Sequence, residues 1–424
     1  MKICLFNARI LTMEEGAEII EDGEIRIEDD KITYVGPLKY SKEQYDLEID
    51  CEGNLLMPGF KNAHTHSGMS VLRSLADDLP LQNWLNESIF PVEAKMTPED
   101  IYEMSKLSVL EYLTSGITAC FDMYLTPDSI AKAMEDCGFR CVQTGAVNNF
   151  SQSPEALEEW YLKYNEKDSL NSYTLGFHAE YTTSEEIMKK IASLAQKYKA
   201  PIYVHLAETQ SEVDGCVERY GMTPLKYMDS LGMFDYGGGI YHGVYVTDEE
   251  MDIMKKHNMF VITNPASNAK LASGIAPISK YMEKDIPIAI GTDGPASNNC
   301  LDMFREMFLV SALAKLRDKD ASSVDANDVL KMATVNGARC MRLFDCDTLA
   351  KGKKADIIML DLNQPNMQPI NNITKNIVYS GSKLNVKMTM INGKILYRDN
   401  KFFIDEDASD IYKKVEEIKS RIIG

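Results

Sequence analysis

Eight apolar, β-rich runs recur between residues 55 and 291, and most are followed by a stretch with helical periodicity. They fall at 55–63, 117–123, 140–147, 174–179, 202–206, 239–244, 260–264 and 286–291. Thr183-x-x-Glu186 reads as a capping box, opening a helix with Ile187, Ile191, Leu194 and Tyr198 on one stripe and stopping before Pro201. Thr247-x-x-Glu250 opens another in the same way. Eight strand–helix units in succession predict an α/β chain built as a (β/α)8 TIM barrel over residues 58–347.

Short strands also gather at both ends of the chain. Residues 3–11, 24–27 and 32–35 are β-rich, with a turn at Asp29-Asp30; 355–360, 377–379, 387–391 and 395–397 form a second set, with a turn at Asn392-Gly393. Unpaired strand edges need neighbours. The two sets are therefore expected to pair into one small composite β domain, residues 1–57 with 348–424. Its last part is an amphipathic tail helix carrying Ile411, Val415, Ile418 and Ile422.

Composition narrows the function classes. With 45 Lys+Arg against 64 Asp+Glu, the formal charge is −19, which disfavours a nucleic-acid partner because such affinity rests on phosphate neutralisation. Nine cysteines without a CxxC pair suit a reducing compartment, so a cytoplasmic location is expected. The first residues do not read as a signal peptide, and no apolar run approaches bilayer-spanning length, so no membrane partner is expected.

Only six histidines occur, at 64, 66, 178, 205, 242 and 257, and five lie in or at the end of a candidate barrel strand. His257 alone lies in a helical stretch and reads as a solvated surface group. In barrels of this kind, active-site groups sit at the C-terminal strand ends. His64-Thr65-His66 closes the first strand, and residues two apart on a strand point the same way. His205 and His242 close the fifth and sixth strands; each on its own is equally a core histidine. Asp293 closes the eighth, where the last strand rejoins the first. His64, His66, His205 and Asp293 make a coherent set around one divalent ion. Nitrogen and carboxylate donors suit Zn²⁺, with Fe²⁺, Mn²⁺, Ni²⁺ or Co²⁺ as other occupants. Glu208, just past the fifth strand, is positioned to exchange protons with a bound water.

These pieces resemble the amidohydrolase superfamily, in its cytosine-deaminase and chlorohydrolase branch. The resemblance rests on Pro58-Gly59-Phe60-Lys61-Asn62-Ala63-His64-Thr65-His66, His205-Leu206-Ala207-Glu208-Thr209, Tyr241-His242-Gly243, Asn264-Pro265-Ala266-Ser267-Asn268 and Gly291-Thr292-Asp293-Gly294, with Gly352-x-x-Ala355-Asp356 beyond. Trp84-Leu85, 89–93, 274–277 and 296–299 are similar to the 5′-methylthioadenosine/S-adenosylhomocysteine deaminases within it. The resemblance implies that Glu208 shuttles protons and contacts the purine, while His242 hydrogen-bonds the water and Asp293 orients it. It further implies that Glu93 binds ribose hydroxyls and that Trp84 and His178 contact the substrate. The implied partner is an adenine nucleoside, and relatives are commonly homo-oligomers.

Two departures refine that expectation. Dinuclear relatives use a fourth-strand lysine, yet 175–181 contains none, which favours a single ion, with Glu180 a nearby group that in principle bridges a second. Relatives that bind S-adenosylhomocysteine place arginines after the third strand, whereas Arg140 is the only arginine between Leu125 and Ala200. Uncharged 5′ groups, as in 5′-methylthioadenosine, 5′-deoxyadenosine or adenosine, are therefore expected ahead of S-adenosylhomocysteine. Guanine or pterin deamination, triazine dechlorination and a non-catalytic barrel scaffold are the rival readings.

Overall fold

The computed structural model describes residues 1–39, 43–75, 77–79, 83–166 and 169–423. Five strands open the chain: β1 (Lys2–Ile10), β2 (Ile20–Glu28), β3 (Lys31–Pro37), β4 (Leu47–Asp50) and β5 (Leu55–Pro58). The barrel follows with β6 (Phe60–Thr65), β7 (Ile117–Met123), β8 (Arg140–Thr144), β9 (Asn171–Ala179), β10 (Ile202–Leu206), β11 (Gly238–His242), β12 (Phe260–Thr263) and β13 (Ile288–Ile290). Four more strands come last: β14 (Ile357–Leu360), β15 (Val386–Ile391), β16 (Lys394–Arg398) and β17 (Lys401–Phe402).

Strands β6 to β13 pair in sequence order, all parallel, with helices between them. The cylinder is drawn shut where the Asp293 N–H donates to the His64 carbonyl at 2.9 Å and the Thr292 N–H to Asn62 Oδ1 at 2.9 Å. Its interior is packed with Ala63, Phe121, Val142, Tyr203, Tyr241 and Ile262, so the barrel is a filled core with its chemistry at one mouth.

The other nine strands form a second sheet in the order β17-β16-β15-β14-β5-β1-β2-β3, with β4 on β1. Strands from the two ends of the chain meet where β5 runs antiparallel to β14, pairing Leu56 with Met359. The β15–β16 hairpin turns at Asn392 and Gly393, with φ of 54° and 75°; two consecutive left-handed residues give the twist that hairpins favour. The tail helix Ala408–Ile422 leaves this sheet and packs on the barrel helix Pro98–Thr114, burying Ile411 and Ile422. Lys414 Nζ reaches Glu103 Oε1 at 2.9 Å. Among the described residues no helix is long and apolar enough to cross a membrane.

Four expectations are corrected. The run 55–63 is two strands in two sheets, because Pro58-Gly59 hands the chain from β5 to β6. Gly59 is required there, since a Cβ would lie 2.1 Å from the Thr118 side chain. Residues 377–379 are helical, the end of Ile373–Tyr379, whose Asn372 cap accepts from the Lys375 N–H at 2.9 Å. The helix after β9 is capped by Ser184 rather than Thr183, and its deepest residues are Met188, Ile191 and Ala195. His257 is no solvated group: it ends a helix with its side chain largely buried and Nε2 2.9 Å from Asp229 Oδ1.

Candidate metal centre and active site

Side chains from four strand ends converge at the C-terminal mouth of the barrel. His64 and His66 project from the end of β6, and His205 and His242 from β10 and β11. Asp293 follows β13 and Glu208 follows β10. Three of the turns are left-handed at non-glycine residues: Ala207 at φ 55°, His242 at 72° and Asp293 at 59°. Such backbone is unfavourable outside glycine, and its clustering at one rim marks positions held for what they aim rather than for comfort.

His66 Nε2 lies 3.1 Å and His64 Nε2 3.5 Å from Asp293 Oδ1, and His64 Nε2 lies 3.1 Å from His205 Nε2. The donor atoms fall into two trios sharing His64: His64, His66 and Asp293, and His64, His205 and His242. The structure thus brings all four sequence-predicted ligands together and sets His242 beside them.

The far side of each ring decides which nitrogen faces inward. His66 Nδ1 donates to the Met123 carbonyl, and His205 Nδ1 donates to the His178 carbonyl at 2.8 Å. In its neutral form each ring therefore turns an Nε2 lone pair inward, towards Asp293 and His64, an arrangement that outer carbonyls impose on metal-ligating imidazoles. Burial lowers the His64 imidazole to about 3 and holds His205 well below its ordinary range, which keeps both neutral. Burial opposes ionisation of Asp293, yet His64 and His66 hold its carboxyl well below the usual carboxylate range. Burial opposes charge on His66, but Asp293 beside it raises its imidazole. Imidazole nitrogens and one carboxylate converging on a point form a donor set that fits a single divalent ion.

Three residues that the sequence reading left without a role position this set. Ser267 and Ser297 hydroxyls donate to Asp293 Oδ2 at 2.6 and 2.8 Å. The Tyr241 ring stacks on His64, with centroids 3.8 Å apart. Ser267 belongs to a segment already singled out, 264–268. Asn268, in the same segment, accepts from His242 Nδ1 at 2.8 Å. His242 Nε2 then faces Glu208 Oε2 at 3.7 Å. The Ser273 hydroxyl donates to Glu208 Oε1 at 3.2 Å, and burial raises the Glu208 carboxyl above its ordinary value.

These groups open onto one cavity of about 500 Å³. Trp84, Glu93 and His178 all line it, together with His66, His205, Glu208, His242 and Asp293. Trp84 begins a wide-turned helical stretch, Trp84–Ile89, that runs into Phe90–Glu93; π-type turns of this kind recur at functional sites. Burial raises the Glu93 carboxyl, against a hydrogen bond from the Tyr124 hydroxyl. His178 Nδ1 lies 2.9 Å from Thr182 Oγ1, and burial lowers its imidazole to about 4. Glu180 is turned away: Arg219 Nε donates to its Oε1 at 3.0 Å and Nη2 to Oε2 at 2.5 Å. It is closed to a second ion by that clamp.

The sequence model of the amidohydrolase family matches residues 55–396. The chain belongs to that family. A 5-methylthioadenosine/S-adenosylhomocysteine deaminase from Thermoanaerobacter pseudethanolicus is 38% identical over 432 residues, covering 100% of both chains. A 5′-deoxyadenosine deaminase from Methanothermobacter thermautotrophicus is 37% identical over 406 residues, covering 92% of this amidohydrolase and 94% of its own length. Among solved structures, an adenosine deaminase from Xanthomonas campestris with bound zinc superposes with a TM-score of 0.94. It is 30% identical, covering 99% of this chain and 98% of its own.

Proposed function

We propose that this amidohydrolase is a metal-dependent hydrolytic deaminase of adenine nucleosides, giving inosine-type products and ammonia. The observation that carries the reading is the convergence of the imidazoles, the Asp293 carboxylate and the Glu208 carboxylate on one cavity. His64, His66, His205 and Asp293 would hold one divalent ion, zinc first among the candidates. When bound, such an ion acidifies water from a pKa of roughly 15.7 to about 7, supplying the nucleophile at neutral pH.

Glu208 takes a proton from the attacking water and delivers it to ring N1, which makes C6 electrophilic. Its raised carboxyl has the direction that a proton carrier near neutrality needs. His242, held by Asn268, and Asp293, held by Ser267 and Ser297, orient the water. The proton left on the added oxygen then passes to the exocyclic amine, and the C6–N bond breaks to release ammonia as the C6 carbonyl forms. Glu93 receives the ribose hydroxyls, Trp84 covers the sugar and base, and His178 contacts the substrate from the fourth strand.

The apolar lining of the cavity supports an uncharged 5′ group. Leu85, Phe90, Leu125, Phe150 and Leu271 line it, and no lysine or arginine occurs among the described lining residues. Arg140 is bound to Asp356, with Nε to Oδ2 at 2.8 Å. The amino-acid carboxylate of S-adenosylhomocysteine would lie there without a cation, at a desolvation cost. Substrates are therefore 5′-methylthioadenosine, 5′-deoxyadenosine or adenosine ahead of S-adenosylhomocysteine. All nine cysteines are free, which supports a reducing, cytoplasmic setting.

Ammonia release from zinc-loaded protein tests the reading across these four compounds with guanine, a pterin and a triazine. The nucleosides are expected to turn over and the free bases not. Faster release from guanine than from any nucleoside would sink it. Glu93→Ala should weaken nucleoside turnover through kcat/KM far more than it alters any residual reaction of free adenine.

A further inference from the structure

Two Thr-x-x-Glu segments open the first helices after β10 and β11, and they use their glutamates differently. In Thr247-x-x-Glu250 the carboxylate turns back on its own cap, accepting the Thr247 N–H at 2.9 Å. That is a reciprocal capping box. In Thr209-x-x-Glu212 the threonine hydroxyl accepts the Glu212 N–H at 3.3 Å, but the carboxylate reaches further back. Its Oε1 accepts the Ala207 N–H at 2.8 Å and its Oε2 the Glu208 N–H at 2.9 Å. Glu212 is buried, with 6% of its surface exposed, so this is no solvent-facing ornament.

The two amides it receives flank the left-handed turn at Ala207 that swings Glu208 from the strand axis towards the cavity. The carbonyl of Ala207 is gripped from the other side by the Val244 and Tyr245 N–H groups, both at 2.9 Å. The turn is thus held on its donors by Glu212 and on its acceptor by the segment following His242. A side-chain carboxylate with two oxygens matches two adjacent backbone donors, and no other acceptor among the described residues reaches them.

We propose that Glu212 is a positioning residue for the deamination, fixing Glu208 in the orientation that delivers the proton to the ring. The inference rests on Glu208 being the proton carrier. Glutamine at 212 offers one oxygen and one NH₂, so it satisfies one backbone N–H and opposes the other. Displacing a reacting group by about 1 Å costs on the order of 100-fold.

The test compares Glu212→Gln, Glu212→Asp and Glu250→Gln with the unaltered zinc-loaded protein on 5′-deoxyadenosine. Glu212→Gln is expected to lose about 10–100-fold in kcat per bound metal, with KM within about threefold. Its solvent deuterium isotope effect on kcat should rise as proton delivery becomes slower than the other steps. Glu212→Asp, which keeps both oxygens, should recover part of the loss. Glu250→Gln, a pure cap, should lower the melting temperature and leave the isotope effect alone. A folded Glu212→Gln protein with kcat within twofold per metal, or with an unchanged isotope effect, overturns the proposal. If Glu212→Gln does not fold, Glu212→Asp turning over at the unaltered rate and isotope effect overturns it equally. Failure of the unaltered protein to release ammonia would instead defeat the deaminase reading itself.

Discussion

The two ends of the barrel both bury charge, and they handle it in opposite ways. At the N-terminal end Arg140 grips Asp356 with two bonds, at 2.8 and 3.0 Å, and the Asn392 N–H adds a third donor at 2.8 Å. Lys61, fully buried on β6, donates to the Gly59 carbonyl and to Thr118 Oγ1, both at 2.8 Å. The ion pair there is closed on itself, and the lysine amine meets oxygen acceptors. At the C-terminal end, Nε2 lone pairs and a carboxylate oxygen face one another with the protons on the far side of the rings. Burial of charge is therefore not what marks the working end. Donors left pointing at each other, beside a cavity, are what mark it.

The largest effect should come from the working end. Removing its ion with a chelator is expected to abolish ammonia release from 5′-deoxyadenosine, and added zinc should restore it. Full turnover in protein shown to be metal-free would erase the contrast between the two ends. Next comes Glu208→Gln, expected to keep the metal while losing about 10²–10⁴-fold in kcat. Near-normal turnover would move the proton chemistry to another group.

The opposite end should answer in stability rather than rate. Arg140→Ala leaves Asp356 buried and unpaired, which should cost about 3–5 kcal/mol in urea unfolding. The kcat per folded molecule should stay unchanged; a fall in kcat with an unaltered midpoint would show that the base of the barrel takes part in the chemistry. Ser267→Ala removes one donor from Asp293 and should weaken zinc affinity about 10–100-fold, as loss of an outer-shell partner does. Competition with a zinc chelator reads this directly.

The smallest effect is expected at Lys61. Burial lowers its amine below the ordinary 10.5. Between that lowered value and 10.5 the unfolded chain binds a proton that the native chain does not. Stability should therefore rise with pH across this window. Lys61→Met should flatten the rise, seen as urea midpoints that no longer climb through the alkaline range. An unchanged slope would assign the titration elsewhere.

Much of the rim could be read from the chain because strand chemistry is local. Two histidines separated by one residue share a side of β6, and strand ends could be counted from apolar runs. What lay hidden depended on contacts between distant segments. The run 55–63 looks like one strand because β5 and β6 are both fully buried, and only the clash of a Cβ at Gly59 with Thr118 reveals the change of sheet. Residues 377–379 are β-branched and aromatic enough for a strand, and the Asn372 cap was the available sign of a helix. His257 reads as exposed because Asp229 approaches from another helix. The support of Asp293 by Ser267 and Ser297 follows from bringing a short helix and a turn together, which no periodicity announces.

The pairing of β5 with β14 has a consequence for how the protein is made. Leu56 meets Met359 only after the intervening barrel has been translated. At about 5–20 residues per second, the roughly 300 residues between them delay that meeting by on the order of tens of seconds. Until then the edge of β5 that faces β14 has no ladder partner from that strand. The nascent chain thus begins a sheet that strands made about 300 residues later must extend.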